Sequence, residues 1–106
     1  MDLDKEILQR LKNTEDHFTE RKTTPQRDQC TEAMVAFANS AITDKPGVLF
    51  IGVKDDGEVV GGENVASWQQ KLTGWANGCF PEIPIISRVL NLNGKEFLGL
   101  VRHIGA

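Results

Sequence analysis

The residues best equipped for chemistry fall in two short stretches. Glu15 and Glu20 bracket Asp16-His17-Phe18-Thr19, with Arg21 and Lys22 directly behind the second carboxylate, and Asp55 and Asp56 end an apolar run that begins at Val48. The run Val48 to Gly57, VLFIGVKDDG, reads as a buried central strand breaking into a tight turn, so its charged end is where a rigid element reaches the surface. If this chain does chemistry, that end is the place for it. Asp55, Asp56 and Gly57 are also the residues a hairpin turn prefers for its backbone alone, and Glu15 and Glu20 fit equally as solvated carboxylates on an edge strand. Residue types leave both readings open.

Other reactive side chains carry less. His17 and His103 are isolated histidines, and Cys30 and Cys79 follow neither a zinc spacing nor a CxxC pattern, which makes them reduced core residues rather than metal ligands. Trp68 and Trp75 are placed to stack bases of a single-stranded ligand or, on the same helical face, to pack into the core; packing is the simpler reading. Gly61-Gly62 is no phosphate loop, because GxxxxGK[ST] occurs nowhere in the chain.

The bulk properties set bounds. A chain of 106 residues with 40% hydrophobic content has the size of one domain and can bury a core without staples. Its net charge of -3 is not that of a strongly basic nucleic-acid binder, so any such binding needs a local basic patch. The first 28 positions hold six of the twelve Lys and Arg residues and seven of the fifteen acidic ones, a region of mixed sign and not a basic tail. No apolar run approaches a membrane span and the opening MDLDKEIL lacks the features of a signal peptide, so a cytoplasmic location is expected.

The elements that position these groups follow from periodicity. Leu3, Ile7, Leu8 and Leu11 predict an opening amphipathic helix capped by Asp2 or Asp4, and Glu15 to Lys22 alternates like a strand. Thr24 and Pro25 mark a helix start, and Cys30, Ala33, Met34, Phe37 and Ala38 give the strongest helical stripe, over Gln26 to Ser40. Ala41 to Gly47 is a loop into the central strand, after which Glu58 to Val60 is expected to return as a short strand. Val65, Trp68, Leu72, Trp75 and Ala76 predict a helix over Asn64 to Asn77, capped by Asn64 and stopped by Gly78. Pro81 and Pro84 mark a linker. Ile85 to Leu92 and Glu96 to Ile104 flank Asn93-Gly94, the signature of a type I′ hairpin. The expected fold is a single α/β (α+β) domain over residues 1–106, a mixed sheet packed by two or three helices in the order α-β-α-β-β-α-β-β. The abrupt end after the last strand suggests the N-terminal part of a longer chain.

Three motifs in this order carry a resemblance. They are Glu15 and Glu20 followed by Arg21-Lys22, the helix ending Ala36-Phe37-Ala38-Asn39-Ser40, and Ile51-Gly52-Val53-Lys54-Asp55-Asp56-Gly57. Together they resemble the Schlafen-type Alba-like domain (Schlafen AlbA_2), a family described as DNA-binding, and the resemblance covers essentially the whole chain. Two departures stand out. The aromatic residue usual between Glu20 and Lys22 is replaced by Arg21, and the Gly-Gly pair usual after the helix is replaced by the longer Ala41 to Gly47.

The resemblance implies site residues. Nuclease members use two glutamates and an aspartate, matched here by Glu15, Glu20 and Asp55. Three carboxylates converging from neighbouring strands would hold Mg²⁺ or Mn²⁺, which polarises a phosphate and activates water. Such nucleases pair two lobes into a clamp and this chain supplies one, so catalysis would require a homodimer. Asn39 is expected to cap its helix, and in the family it adjoins the strand that ends in Asp55, where it would also fix the loop near the carboxylates. The principal expectation is a nucleic-acid-binding module of a bacterial transcriptional regulator, in which Arg21, Lys22, Arg27 and Lys54 meet the phosphates of DNA or RNA with little base readout. No membrane partner and no obligatory cofactor are expected. The alternatives are a metal-dependent endoribonuclease and an assembly module whose terminal hairpin pairs with another copy through an edge strand.

Overall fold

In the computed structural model, residues 3–11, 19–38, 47–79, 83 and 85–102 are described. They form helix α1 (Leu3–Leu11), strand β1 (Thr19–Lys22), helix α2 (Arg27–Ala38), strand β2 (Val48–Ile51), helix α3 (Val65–Asn77), and strands β3 (Ile85–Leu92) and β4 (Lys95–Arg102). Among the described residues the sheet has four strands in the order β1-β2-β4-β3, with β1 parallel to β2 and the other neighbours antiparallel. This is the mixed sheet with three helices that an α+β fold requires.

The run Val48 to Ile51 is apolar at every position because β2 is covered on both faces. Side chains alternate along a strand, so Leu49 and Ile51 face one way and Val48 and Phe50 the other. Leu49 and Ile51 join Leu98 and Leu100 of β4 under α2 and α3, whose inward stripes are Cys30, Ala33, Met34 and Phe37, and Val65, Leu72 and Ala76. Val48 and Phe50 join Phe97 and Val101 under Ile7 and Leu11 of α1. One helix therefore covers one face of the sheet and two cover the other. The close seat of α1 depends on Gly99 of β4, where a Cβ would run into the Ile7 side chain.

Several boundaries differ from the sequence expectation. Glu58 to Val60 is not a strand; only the antiparallel bridge Val53 to Val59 forms. The reason lies in Gly52, whose φ of 94° takes the chain out of extended geometry just before the turn. Its carbonyl collects the N–H groups of both Val60 and Gly61 at 2.9 Å, so no regular ladder continues. Helix α2 begins at Arg27 rather than at Pro25, with the Cys30 N–H donating to the Gln26 carbonyl at 2.9 Å. Asn64 precedes α3 in the left-handed region without a side-chain cap bond, and instead its carbonyl accepts from the Ser67 N–H and hydroxyl. Gly78 ends α3 in right-handed conformation, so its usefulness there is not freedom of φ. The Asn93-Gly94 turn is as expected, with both residues at positive φ. The expectations for Asn13, Thr14, Glu15, His17, Asn39, Ser40, the loop 41–46, Pro81, Pro84, His103 and Ile104 lie outside the described residues.

A methyl group at Gly52 would have the wrong φ and would sit 3.2 Å from Phe97 Cβ and 3.3 Å from the Trp68 ring. Gly52→Ala is expected to lower stability by about 2 kcal/mol, from backbone strain and crowding together. Urea unfolding checks this as a lower midpoint with unchanged slope.

Candidate nucleic-acid interface

The parallel pairing of β1 with β2 sets which side chains meet. Thr19 aligns with Val48 and Arg21 with Phe50, placing them on the α1 face, whereas Glu20 and Lys22 align with Leu49 and Ile51 on the α2 face. At the end of both strands the Lys22 carbonyl accepts from Gly52 N–H at 2.7 Å and from Val53 N–H at 3.1 Å. Beyond that point the chain turns through Lys54 to Gly57. The turn is closed by Gly57 N–H to the Lys54 carbonyl at 2.9 Å, and the Asp56 carboxylate accepts from Glu58 N–H at 2.9 Å. Asp56 thus has a local structural task that its residue type foretold.

Arg21 is buried, with 3% of its surface exposed. Its guanidinium donates through Nη2 to the Leu11 carbonyl at 3.2 Å and through Nη1 to the Asp55 carbonyl at 3.4 Å. A single planar fork thereby ties the last carbonyl of α1 to the turn after β2, and a cation suits the negative end of a helix. Burial removes Arg21 from the role of exposed phosphate ligand expected of it. The departure from the family pattern was the available signal. A position that usually holds an aromatic residue is an inward-facing one, and Arg21 inherits that direction.

The ends of β1 and β2 enclose an open hollow of about 480 Å³, lined by Arg21, Lys22, Thr23, Val53, Lys54, Asp55 and Asp56. It gathers three of the four expected cationic residues. Lys54 is exposed and shares its ammonium with Glu58 at 3.2 Å, a pairing weak enough in water to be exchanged for another anion. Lys22 is half-buried beside α2, close enough to Cys30 for its charge to act on the thiol. Burial pushes the Cys30 thiol up, and the Gln26 backbone hydrogen bond and Lys22 oppose the shift in part. Cys30 is a neutral core residue, as its sequence context indicated.

Arg27 is exposed but lies elsewhere, in a second groove of about 560 Å³ between α2 and α3 with Asp28, Glu32 and Trp75. Trp75 is half-buried against the core, as is Trp68, whose ring lies where a Cβ on Gly62 would fall. The indoles serve packing first.

Of the carboxylates that the resemblance implied as metal ligands, Asp55 is exposed in the hollow, Glu20 is half-buried on the α2 face outside it, and Glu15 lies outside the described residues. Among the described residues no three His, Cys, Asp or Glu side chains come together to hold a metal ion. No catalytic step is assigned to Glu20 or Asp55. No helix among the described residues is long and apolar enough to cross a membrane.

The chain is a three-layer α+β domain with a cation-bearing hollow at the ends of two parallel strands. Residues 15–104 match the family model described as Schlafen, AlbA_2, and the chain belongs to that family. The family is linked in general with nucleic acid. No curated protein matches the chain.

Proposed function

We propose that this chain is a nucleic-acid-binding module that docks two backbone phosphates at the hollow, one on Lys22 and one on Lys54. The observation that carries the reading is that Lys22 and Lys54 line one open hollow, beside a turn that the buried Arg21 ties to α1. Family membership supports the same reading. Lys22 and Lys54 act as point charges on phosphate oxygens, with Lys54 released from Glu58. Arg21 acts on the ligand only through the turn it holds, and Arg27, in the other groove, is a peripheral contact. Asp55 and Asp56 repel an anion at the rim, which limits affinity to the micromolar range. Binding is governed by backbone charge, with little base readout.

Fluorescence anisotropy with labelled single-stranded and duplex DNA and RNA tests this. Two phosphate contacts predict that affinity falls roughly tenfold between about 50 and 200 mM KCl. Lys22→Glu combined with Lys54→Glu is expected to abolish the salt-dependent binding while leaving the fold intact. Binding of any of the four ligands that ignores salt, or that survives the double reversal, would overturn the proposal, as would no binding at low salt.

A further inference from the structure

We propose that the outer edge of β3 pairs antiparallel with the same strand of a second copy, about a two-fold axis at Val89, joining two sheets into one. Strand order places β3, not β4, at the end of the sheet, so β3 has no strand neighbour on its outer side among the described residues. Sheet edges in soluble proteins are usually short, charged or interrupted. The opposite edge obeys this, since β1 has four residues and carries Glu20, Arg21 and Lys22. In contrast β3 has eight residues, IISRVLNL, with no proline, no glycine and one charge. That charge, Arg88, is drawn to Asp4 of α1 at 3.4 Å through Nε and donates through Nη1 to the Ser87 carbonyl at 3.4 Å.

The register follows from the hairpin. A two-residue turn makes Leu92 and Lys95 a hydrogen-bonded pair, so Leu92, Leu90, Arg88 and Ile86 direct their backbone groups to β4. Ile85, Ser87, Val89 and Asn91 direct theirs outward. The Ser87 carbonyl bears this out, for it accepts from Gln69 Nε2 of α3 at 3.1 Å and from Arg88 Nη1 at 3.4 Å, side-chain donors that an incoming strand's N–H would displace. Val89, among the more exposed large apolar residues at 36%, sits mid-strand on this outward set.

Centring the axis on Val89 places it against the partner's Val89, and Ser87 against the partner's Asn91, giving about six backbone hydrogen bonds, two of which replace the side-chain donors on the Ser87 carbonyls. On the α1 face the same register sets Ile86 against the partner's Leu92 and Arg88 against the partner's Leu90. Sliding one step toward the start of β3 would bring Arg88 against the partner's Arg88, where like charges oppose pairing. Sliding the other way would bring the left-handed Asn93 into the ladder. The strand is therefore self-complementary in one register, which makes a second copy the occupant.

Sedimentation velocity of the nucleic-acid-free chain, from low to high micromolar concentration, is expected to show a reversible monomer–dimer equilibrium. Val89→Pro removes an outward N–H and is tolerated on an edge strand, and Val89→Lys sets like charges across the axis. Each is expected to raise the dimer dissociation constant by at least about tenfold, with far-UV circular dichroism unchanged for Val89→Lys. A strict monomer, assembly beyond a dimer, or a dimer that both variants leave intact would overturn the proposal. Lys22 and Lys54 are on other elements, so failure here leaves the nucleic-acid test unaffected.

Discussion

Phe50→Ala is expected to lower the stability of this domain by about 3–5 kcal/mol, the largest loss from any single substitution considered. Phe50 is fully buried on β2, with its ring centroid 6.2 Å from that of Phe97 at an interplanar angle of 46°, and it helps fill the layer under α1. Removing the ring loses transfer free energy and leaves a cavity between a strand and a helix that are both held elsewhere, so the site cannot collapse to fill it. Against a total stability of about 5–15 kcal/mol, such a loss leaves a barely folded chain. Urea or thermal unfolding measures it directly. A loss below about 1 kcal/mol would mean that α1 does not seal that face of the sheet.

Arg21→Ala is expected to cost about 2–4 kcal/mol and to loosen the turn from Lys54 to Gly57. Two effects combine. The buried aliphatic stem loses its packing, and the Leu11 and Asp55 carbonyls lose charged donors at 3.2 and 3.4 Å. Arg21→Met separates them, since it retains most of the stem and none of the donors, and it should recover only the packing part. The second readout is local. Hydrogen exchange at the Gly57 and Glu58 amides, which close the turn through Lys54 and Asp56, should accelerate in both variants. Unchanged exchange in Arg21→Met would show that the turn holds itself and that Arg21 is only a core residue. If Arg21 does position the hollow, nucleic-acid affinity should also fall in Arg21→Met, although the residue is nearly inaccessible to a phosphate.

Much of the architecture was legible because burial imposes a period. The stripe Cys30, Ala33, Met34 and Phe37 marked α2, and the unbroken run Val48 to Ile51 marked a strand covered on both faces. Asn93-Gly94 fixed the terminal hairpin, since few residue pairs accept two left-handed positions in succession. The predicted strand at Glu58 to Val60 failed for a local reason: the same Asp-Gly chemistry that marks a turn does not reveal that Gly52 bends the incoming strand.

The candidate site was legible only in outline. Lys22, Lys54 and Asp55 could be placed near one another because they end two strands, but Arg27 could not be separated from them by spacing alone. Charge is also a poor guide to direction. Arg21 sits in a run of polar residues and by residue type reads as a surface cation, whereas the parallel register with Phe50, like the family's usual aromatic at this position, turns it inward.

By itself, then, the sequence determined the helices, the buried strand, the type I′ turn and the family, all of which rest on periods and motifs within a few residues. The tertiary structure alone decided which face each β1 side chain takes, that Glu20 stands outside the hollow Asp55 lines, and that β3 rather than β4 ends the strand order among the described residues. These depend on strand order and register between segments distant in the chain. A one-residue shift of register exchanges every inward and outward side chain, and local residue preferences do not encode that choice.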